Sequence, residues 1–276
     1  MERIKAAIQK AKETQKQSGK KSDHNGDPKS RKAVELDPQK NGLESLVYDK
    51  TKVIKLDQKH LEDNRIIAHN KNNLLSSSFD LLRTQVLRLM QENGWKTLAI
   101  TSPNPEAGKT VVSINLAMSI AQHTEKSAML VDFDFRRPKV ARYLGLELET
   151  SINDYIERDV PVENILINPG LPRLVMLASN KPIKNSAEVL ASRKIENLIN
   201  DVKTRYEERV VIFDLPPILN SDDAITILPK IDCVIMIVAN GMSAQHEIED
   251  SLRYLHETNL LGVVMNKSEE NLKTYY

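Results

Sequence analysis

No charge of either sign dominates this chain: 39 lysines and arginines stand against 38 aspartates and glutamates in 276 residues. No net field therefore draws it to nucleic acid or to an anionic membrane. Cysteine occurs once, at Cys233, which excludes an internal disulfide and fits a reducing cytoplasm. No apolar run approaches the ~18 residues needed to cross a bilayer, and the N-terminus carries no apolar signal segment. Membrane contact is expected only through a partner. The six histidines are scattered without metal-ligand spacing, and no Ser-His-Asp or Cys-His constellation stands out. No internal repeat is visible and no compositional break follows Trp95, so nothing supports a second folded domain.

What is present divides the chain in two. Residues 1–42 are lysine-rich and, from Gln15 to Lys32, lack any hydrophobic period, which predicts a disordered basic tail. Within it Ile4, Ala7, Ile8 and Ala11 recur at the spacing of a short amphipathic helix. Residues 43–276 read as one folded unit. Leu74, Leu75, Phe79, Leu82, Val86, Leu87 and Met90 predict an amphipathic helix over 73–91, closed by Gly94. Beyond it, apolar segments at 97–101, 128–132, 173–177, 209–214, 233–239 and 261–266 alternate with stretches of helical period. Near-continuously apolar strands separated by helices predict an α/β fold: a mostly parallel sheet with helices on both faces, its ligand beyond the carboxyl ends of the strands.

The strand at 97–101 runs into Ser102-Pro103-Asn104-Pro105-Glu106-Ala107-Gly108-Lys109-Thr110, and a helix follows from Val111. Strand, loop, Gly-Lys-Thr and helix form the context of a phosphate loop, hence of a P-loop NTPase. The loop from Pro105 to Val111, through the backbone N–H groups that follow the proline, and the positive helix end face the phosphates, with Lys109 neutralising their outer oxygens. Thr110 offers a hydroxyl to Mg2+. The expected cofactors are ATP and Mg2+. The first glycine of the usual loop pattern falls here at Pro103, so the match is incomplete.

Two further strands end in carboxylates. Met129-Leu130-Val131-Asp132-Phe133-Asp134-Phe135-Arg136 places Asp132 and Asp134 on one face if the strand continues. Val210-Val211-Ile212-Phe213 ends at Asp214, before Leu215-Pro216-Pro217. Asp132 and Asp214 are candidate magnesium ligands, and the third carboxylate, Asp134, can accept a proton from an attacking hydroxyl. Arg136 either grips a phosphate bidentately or pairs with Asp134.

These motifs resemble the kinase domain of the bacterial tyrosine kinases, a branch of the MinD/ParA-like P-loop ATPases. The resemblance covers residues from about Asn73 to Lys267. It rests on Thr101 to Thr110, on Asp132-Phe133-Asp134-Phe135-Arg136, on Asp214 to Pro217, on Asn185-Ser186-Ala187-Glu188-Val189-Leu190 and on Asp222-Asp223-Ala224. It implies a Mg-ATP-dependent tyrosine autokinase that regulates capsule or exopolysaccharide synthesis and export. Catalytic roles would fall to Lys109, Asp132, Asp134 and Asp214, Asn266 would lie near the adenine, and Tyr275 and Tyr276 would be phosphoacceptors. It further implies a homo-oligomer that phosphorylates between neighbouring subunits. The protein would be cytoplasmic and recruited to the inner face of the membrane by a polysaccharide co-polymerase-type adaptor. The sequence departs from that family in three places. Pro-Glu-Ala-Gly-Lys replaces Pro-Gly-Glu-Gly-Lys, the positions of the family's charged assembly helix are Ser77, Asp80 and Arg83, and the tyrosine tail is short. The alternative function is a MinD/ParA-like ATPase acting as a nucleotide-controlled switch on a membrane partner. A partition-type nucleic-acid ATPase would carry a basic surface, whereas the chain beyond the tail is mildly acidic.

Overall fold

The computed structural model describes residues 51–122 and 125–268. The expected tail, residues 1–42, and the two C-terminal tyrosines lie outside them. In chain order the elements are β1 (Lys52–Val53), α1 (Gln58–Asp63), α2 (Ser76–Asn93), β2 (Thr97–Thr101), α3 (Lys109–Ala121), β3 (Ser127–Asp132), α4 (Val140–Tyr143) and α5 (Ile152–Arg158). There follow β4 (Ile167–Asn168), β5 (Leu174–Leu177), α6 (Ser186–Ala191), α7 (Arg193–Thr204), β6 (Arg209–Asp214), α8 (Asp222–Ile227), β7 (Cys233–Ala239), α9 (Gln245–Tyr254) and β8 (Leu260–Asn266).

Among the described residues the strands form one sheet of order β1-β4-β5-β3-β6-β2-β7-β8. Every pair is parallel except β4 with β5. Strand side chains alternate faces, and each face has its own core. Leu98, Ile100, Leu130, Ile212 and Ile235 pack on one side, under α2 and α3. Ala99, Met129, Val131, Phe213 and Met236 pack on the other, under α5 to α8. All residues of β2, β3, β6 and β7 are buried, which is why these segments read as unbroken apolar runs. The six expected strands are found to within one residue of their expected limits. The two-residue strands β1 and β4 were not foreseen, since two residues cannot display a period.

The helices obey the same logic. In α7 the buried residues Ile195, Leu198, Ile199 and Val202 fall at three-to-four spacing, facing the sheet,. Helix α3 is buried over nearly its whole circumference because α2 covers the side the sheet leaves open. Its one buried amide, Asn115, is fully used: Oδ1 accepts from the Ile67 and Ala68 N–H groups, and Nδ2 donates to the Arg65 and Val111 carbonyls. Helix α2 starts at Ser76, three residues later than its pattern suggests, and ends at Gly94, whose φ of 69° is the left-handed cap glycine adopts freely,.

Asp232 ties down the entry to the two central strands β2 and β7. Its Oδ2 accepts from the Lys96 and Thr97 N–H groups at 2.9 and 3.0 Å, and Lys203 pairs with Oδ1. Partial burial pushes its pKa up, but these donors outweigh that and hold it below the ordinary carboxylate value. A depressed folded pKa contributes stability above the unfolded value, and that stability is lost as pH falls through the folded one. Asp232→Ala is therefore expected to cost roughly 1–3 kcal/mol at neutral pH, with the deficit shrinking below about pH 4. Urea midpoints of both proteins at the two pH values check this.

Candidate functional site

The carboxyl ends of β2, β3 and β6 lie side by side, so the loops after them meet. The loop after β2 is stapled at its base to the segment after β6. Thr101 Oγ1 donates to the Pro216 carbonyl at 2.7 Å, and the Ile218 N–H donates to the Ser102 carbonyl at 2.8 Å. Helix α3 begins at Lys109, and its first helical bond runs from the Val112 N–H to the Gly108 carbonyl. The N–H groups of Lys109, Thr110 and Val111 thus have no partner within the helix and form an anion-binding end.

Two residues of this loop have positive φ, Gly108 at 91° and Glu106 at 65°. A Cβ on Gly108 would come within 2.1 Å of Asn266 Nδ2. Glycine is required there twice over, by conformation and by room. Glu106 stands where the resembled family carries glycine, and its backbone keeps the conformation glycine would take without strain. For a glutamate that conformation costs on the order of 1 kcal/mol. Glu106→Gly is expected to recover up to about that much in a thermal melt, and a lower melting temperature would show the turn unstrained.

The carboxylates converge on Lys109. The Asp-Phe-Asp-Phe alternation sends Phe133 and Phe135 into the core, edge to face at 5.3 Å, with Phe133 also against Phe213 at 5.0 Å. Asp132 and Asp134 turn the other way, as period two requires. Lys109 Nζ lies 2.7 Å from Asp134 Oδ2 and 3.9 Å from Asp214 Oδ2. Thr110 Oγ1 donates to Asp214 Oδ2 at 2.7 Å, and Ser113 Oγ reaches Asp214 Oδ1 at 3.0 Å. Asp132 is opposite Asp214 in the β3–β6 register. It accepts from the N–H groups of Lys139 and Val140 on Oδ2 and of Asp134 on Oδ1.

Burial sets the electrostatics. Asp132 is pushed up to about 8, by burial first and then by the facing Asp214 carboxylate. Asp214 is raised by burial too, while Lys109 and Thr110 pull it back. For Lys109 burial disfavours the ammonium, but Asp214 and Asp134 outweigh that and hold it charged. A hydroxyl and a carboxylate oxygen 2.7 Å apart beside a buried ammonium are the hard-oxygen donors magnesium takes,. No group of three or more carboxylate, histidine or cysteine side chains that could hold a metal occurs among the described residues. Magnesium needs only one or two protein oxygens when phosphates and waters complete its octahedron.

Three placements add contacts that the sequence does not show. Arg136 is not ion-paired with Asp134. Its guanidinium pairs with Asp222 and Asp223 at 3.0 Å and its Nε also contacts Ser186 Oγ at 3.2 Å. It is thus a clasp joining the loop after β3 to the starts of α6 and α8, because both helices open beside it. Asn266 places its amide on the phosphate loop itself, Nδ2 donating to the Ala107 carbonyl at 2.9 Å. Asp80 and Arg83 of α2 are committed inside the subunit: Asp80 accepts from Lys71, Arg83 and Ser119, and Arg83 also reaches the Ser119 carbonyl. Ser113 was not foreseen, although one helical turn after Lys109 is where a second hydroxyl shares its face.

Residues 95–261 match the family model described as an AAA domain. The chain is 29% identical over 196 residues to the putative tyrosine-protein kinase EpsB of Ralstonia nicotianae, covering 70% of this chain and 26% of that protein. It is 28% identical to the tyrosine-protein kinase CpsD of Streptococcus pneumoniae serotype 4, covering 65% of this chain and 79% of that one. The chimeric protein CapA2B2 superposes with a TM-score of 0.69 at 23% identity, over 79% of this chain and 94% of its own, a likeness of fold. The chain spans about a quarter of the length of the Ralstonia and Acinetobacter relatives it matches. With the phosphate loop, the Asp-x-Asp-x-Arg strand end and the family match in agreement, the chain belongs to the AAA-domain family and is similar to bacterial tyrosine kinases.

Proposed function

We propose that this chain is a Mg-ATP-dependent protein-tyrosine kinase that phosphorylates its own C-terminal tyrosines and regulates capsule or exopolysaccharide synthesis. The observation that carries this reading is the contact of Lys109 with Asp134 at 2.7 Å beside the Thr110–Asp214 pair at 2.7 Å. In this reading groups suited to charge neutralisation, metal ligation and proton acceptance would share one site. The names of the tyrosine-kinase relatives point the same way.

In this reading the N–H groups from Glu106 to Val111 and the Lys109 ammonium bind the phosphates. Thr110 and Asp214 would hold magnesium directly. Asp132, whose oxygens already accept three backbone N–H groups, would act through a bound water. Magnesium would supply charge stabilisation of the transferring phosphoryl group. Asp134, anchored by the Arg137 N–H at 3.1 Å, would take the proton of the attacking hydroxyl,. Asn266, whose Nδ2 donates to the Ala107 carbonyl, would lie near the adenine with Oδ1 able to accept from its exocyclic amine.

No helix among the described residues is long and apolar enough to cross a membrane. In this reading a membrane adaptor of the co-polymerase type recruits the protein, which works as a homo-oligomer. After incubation with Mg-ATP, intact-mass analysis should show added phosphate that is absent from a Tyr275→Phe, Tyr276→Phe double variant. ATP binding with no phosphotyrosine, with or without a membrane partner, would instead favour the nucleotide-switch reading.

A further inference from the structure

We propose that Arg136 and Asp223 are positioning residues for Asp134, their ion pair aiming the proton acceptor at the attacking hydroxyl; this rests on the kinase reading above.

The Asp134 carboxylate has one hold on each oxygen. Lys109 Nζ meets Oδ2 at 2.7 Å, and the Arg137 N–H donates to Oδ1 at 3.1 Å. The first hold is released in the reaction. An ammonium that neutralises phosphate oxygens turns away from the carboxylate, and Oδ2 is then free to take the proton. The Arg137 N–H is the hold that stays, so the placement of that one peptide group decides where the carboxylate points.

The peptide that carries this N–H joins Arg136 to Arg137. Before it, the chain is anchored at Phe135, whose ring is buried and whose carbonyl accepts from the Ile183 N–H at 2.9 Å. The Arg137 side chain is exposed and anchors nothing. The anchor next to the peptide is therefore the Arg136 side chain. Its Nε lies 3.1 Å from Asp223 Oδ1 and 3.2 Å from Ser186 Oγ, and its terminal nitrogen lies 3.0 Å from both Asp222 and Asp223.

This pair differs from the mobile surface bridges that contribute little. Asp223 is fully buried, and its Oδ2 has no hydrogen-bond partner. Arg136 thus supplies the charge that a buried carboxylate requires, which keeps the guanidinium in place. Asp223 also sits at the start of α8, just beyond the segment after β6 that is bonded to the phosphate loop through Thr101 and Ser102. The pair therefore sets the loop bearing Asp134 against the framework that carries Asp214.

A guanidinium used this way is distinguishable from one that grips a phosphate. If Arg136 bound phosphate, Asp223 would compete for it, and removing Asp223 would leave the rate unchanged or raise it. If the pair positions Asp134, losing either partner has the same consequence.

The test measures initial rates of phosphotyrosine formation on the full chain with Mg-ATP, for wild type, Arg136→Ala, Asp223→Ala and the double variant. Binding of a fluorescent ATP analogue and thermal melting are followed in parallel. Each single variant is expected to lose rate by roughly tenfold or more, as misplacement of a reacting group does. The double variant should lose no more than the singles, because the two residues act as one unit. Analogue binding should stay within about twofold of wild type, a loss in the chemical step alone. Asp223→Ala leaves no unpaired charge buried and should melt close to wild type. A full rate in Asp223→Ala, with the loss confined to Arg136→Ala, would overturn the proposal in favour of a phosphate contact. Additive losses, or losses matched by weaker analogue binding and a lower melting temperature in Asp223→Ala, would overturn it in favour of a purely structural pair. Either result leaves the kinase reading standing. Absence of phosphotyrosine on wild type, with the analogue still bound, would overturn both.

Discussion

Lys109→Ala is expected to lower autophosphorylation by at least ~100-fold, because one preorganised charge at the transferring group is lost. The position makes the effect larger than that of a solvated lysine. The ammonium is buried, 2.7 Å from Asp134 and 3.9 Å from Asp214, both themselves buried. Removing one partner of a buried pair leaves uncompensated charge and costs roughly 3–5 kcal/mol in folding. Loss of activity in the alanine variant alone could therefore reflect instability. Lys109→Arg separates the two effects. It keeps the cation against both carboxylates, but its planar fork does not replace a compact ammonium at the phosphates. The arginine variant should melt close to wild type and still lose most phosphotyrosine formation, measured by initial rates. Near-normal turnover in a folded Lys109 variant would remove the residue from the site.

Asp214→Asn should separate stability from activity in the opposite sense. Asp214 is buried completely, its pKa is raised by that burial, and it faces Asp132, which is raised in part by Asp214 itself. An amide relieves a charge the folded state disfavours, so the melting temperature is expected to hold or rise. The same change deprives Thr110 and Ser113 of the carboxylate that accepts their hydroxyls at 2.7 and 3.0 Å, and magnesium of its anionic ligand. Activity is expected to fall by ~100-fold or more, and the magnesium concentration for half-maximal rate to rise. Stabilisation coupled to loss of function marks a site held under strain for its chemistry. A variant that melts lower yet keeps its rate and magnesium dependence would make Asp214 a structural residue.

Much of this architecture was legible because the central strands are buried on both faces. Burial on two sides removes the usual alternation and leaves runs such as Cys233 to Ala239, which no surface segment would tolerate,. The phosphate loop was legible because Gly108, Lys109 and Thr110 act through local geometry, a turn followed directly by a helix,. The partners of Arg136 were not legible for the complementary reason. Its partners Asp222 and Asp223 lie more than eighty residues away, and no local pattern tells a guanidinium which carboxylate it will meet. Glu106 looked like a lost glycine, whereas the structure shows the turn kept, with the backbone rather than the loop shape bearing the cost.

The sequence by itself determined the order of strands and helices, the phosphate loop and the three carboxylates at strand ends, because each of these is written in periodicity or in neighbouring residues. Only the tertiary structure decided the rest. It placed β3, β6 and β2 side by side so that Asp134 and Asp214 share Lys109, brought Asn266 onto the loop 159 residues earlier, and turned Asp80 and Arg83 inward. Those are contacts between segments distant in the chain, fixed by the sheet order and by the burial each segment must find.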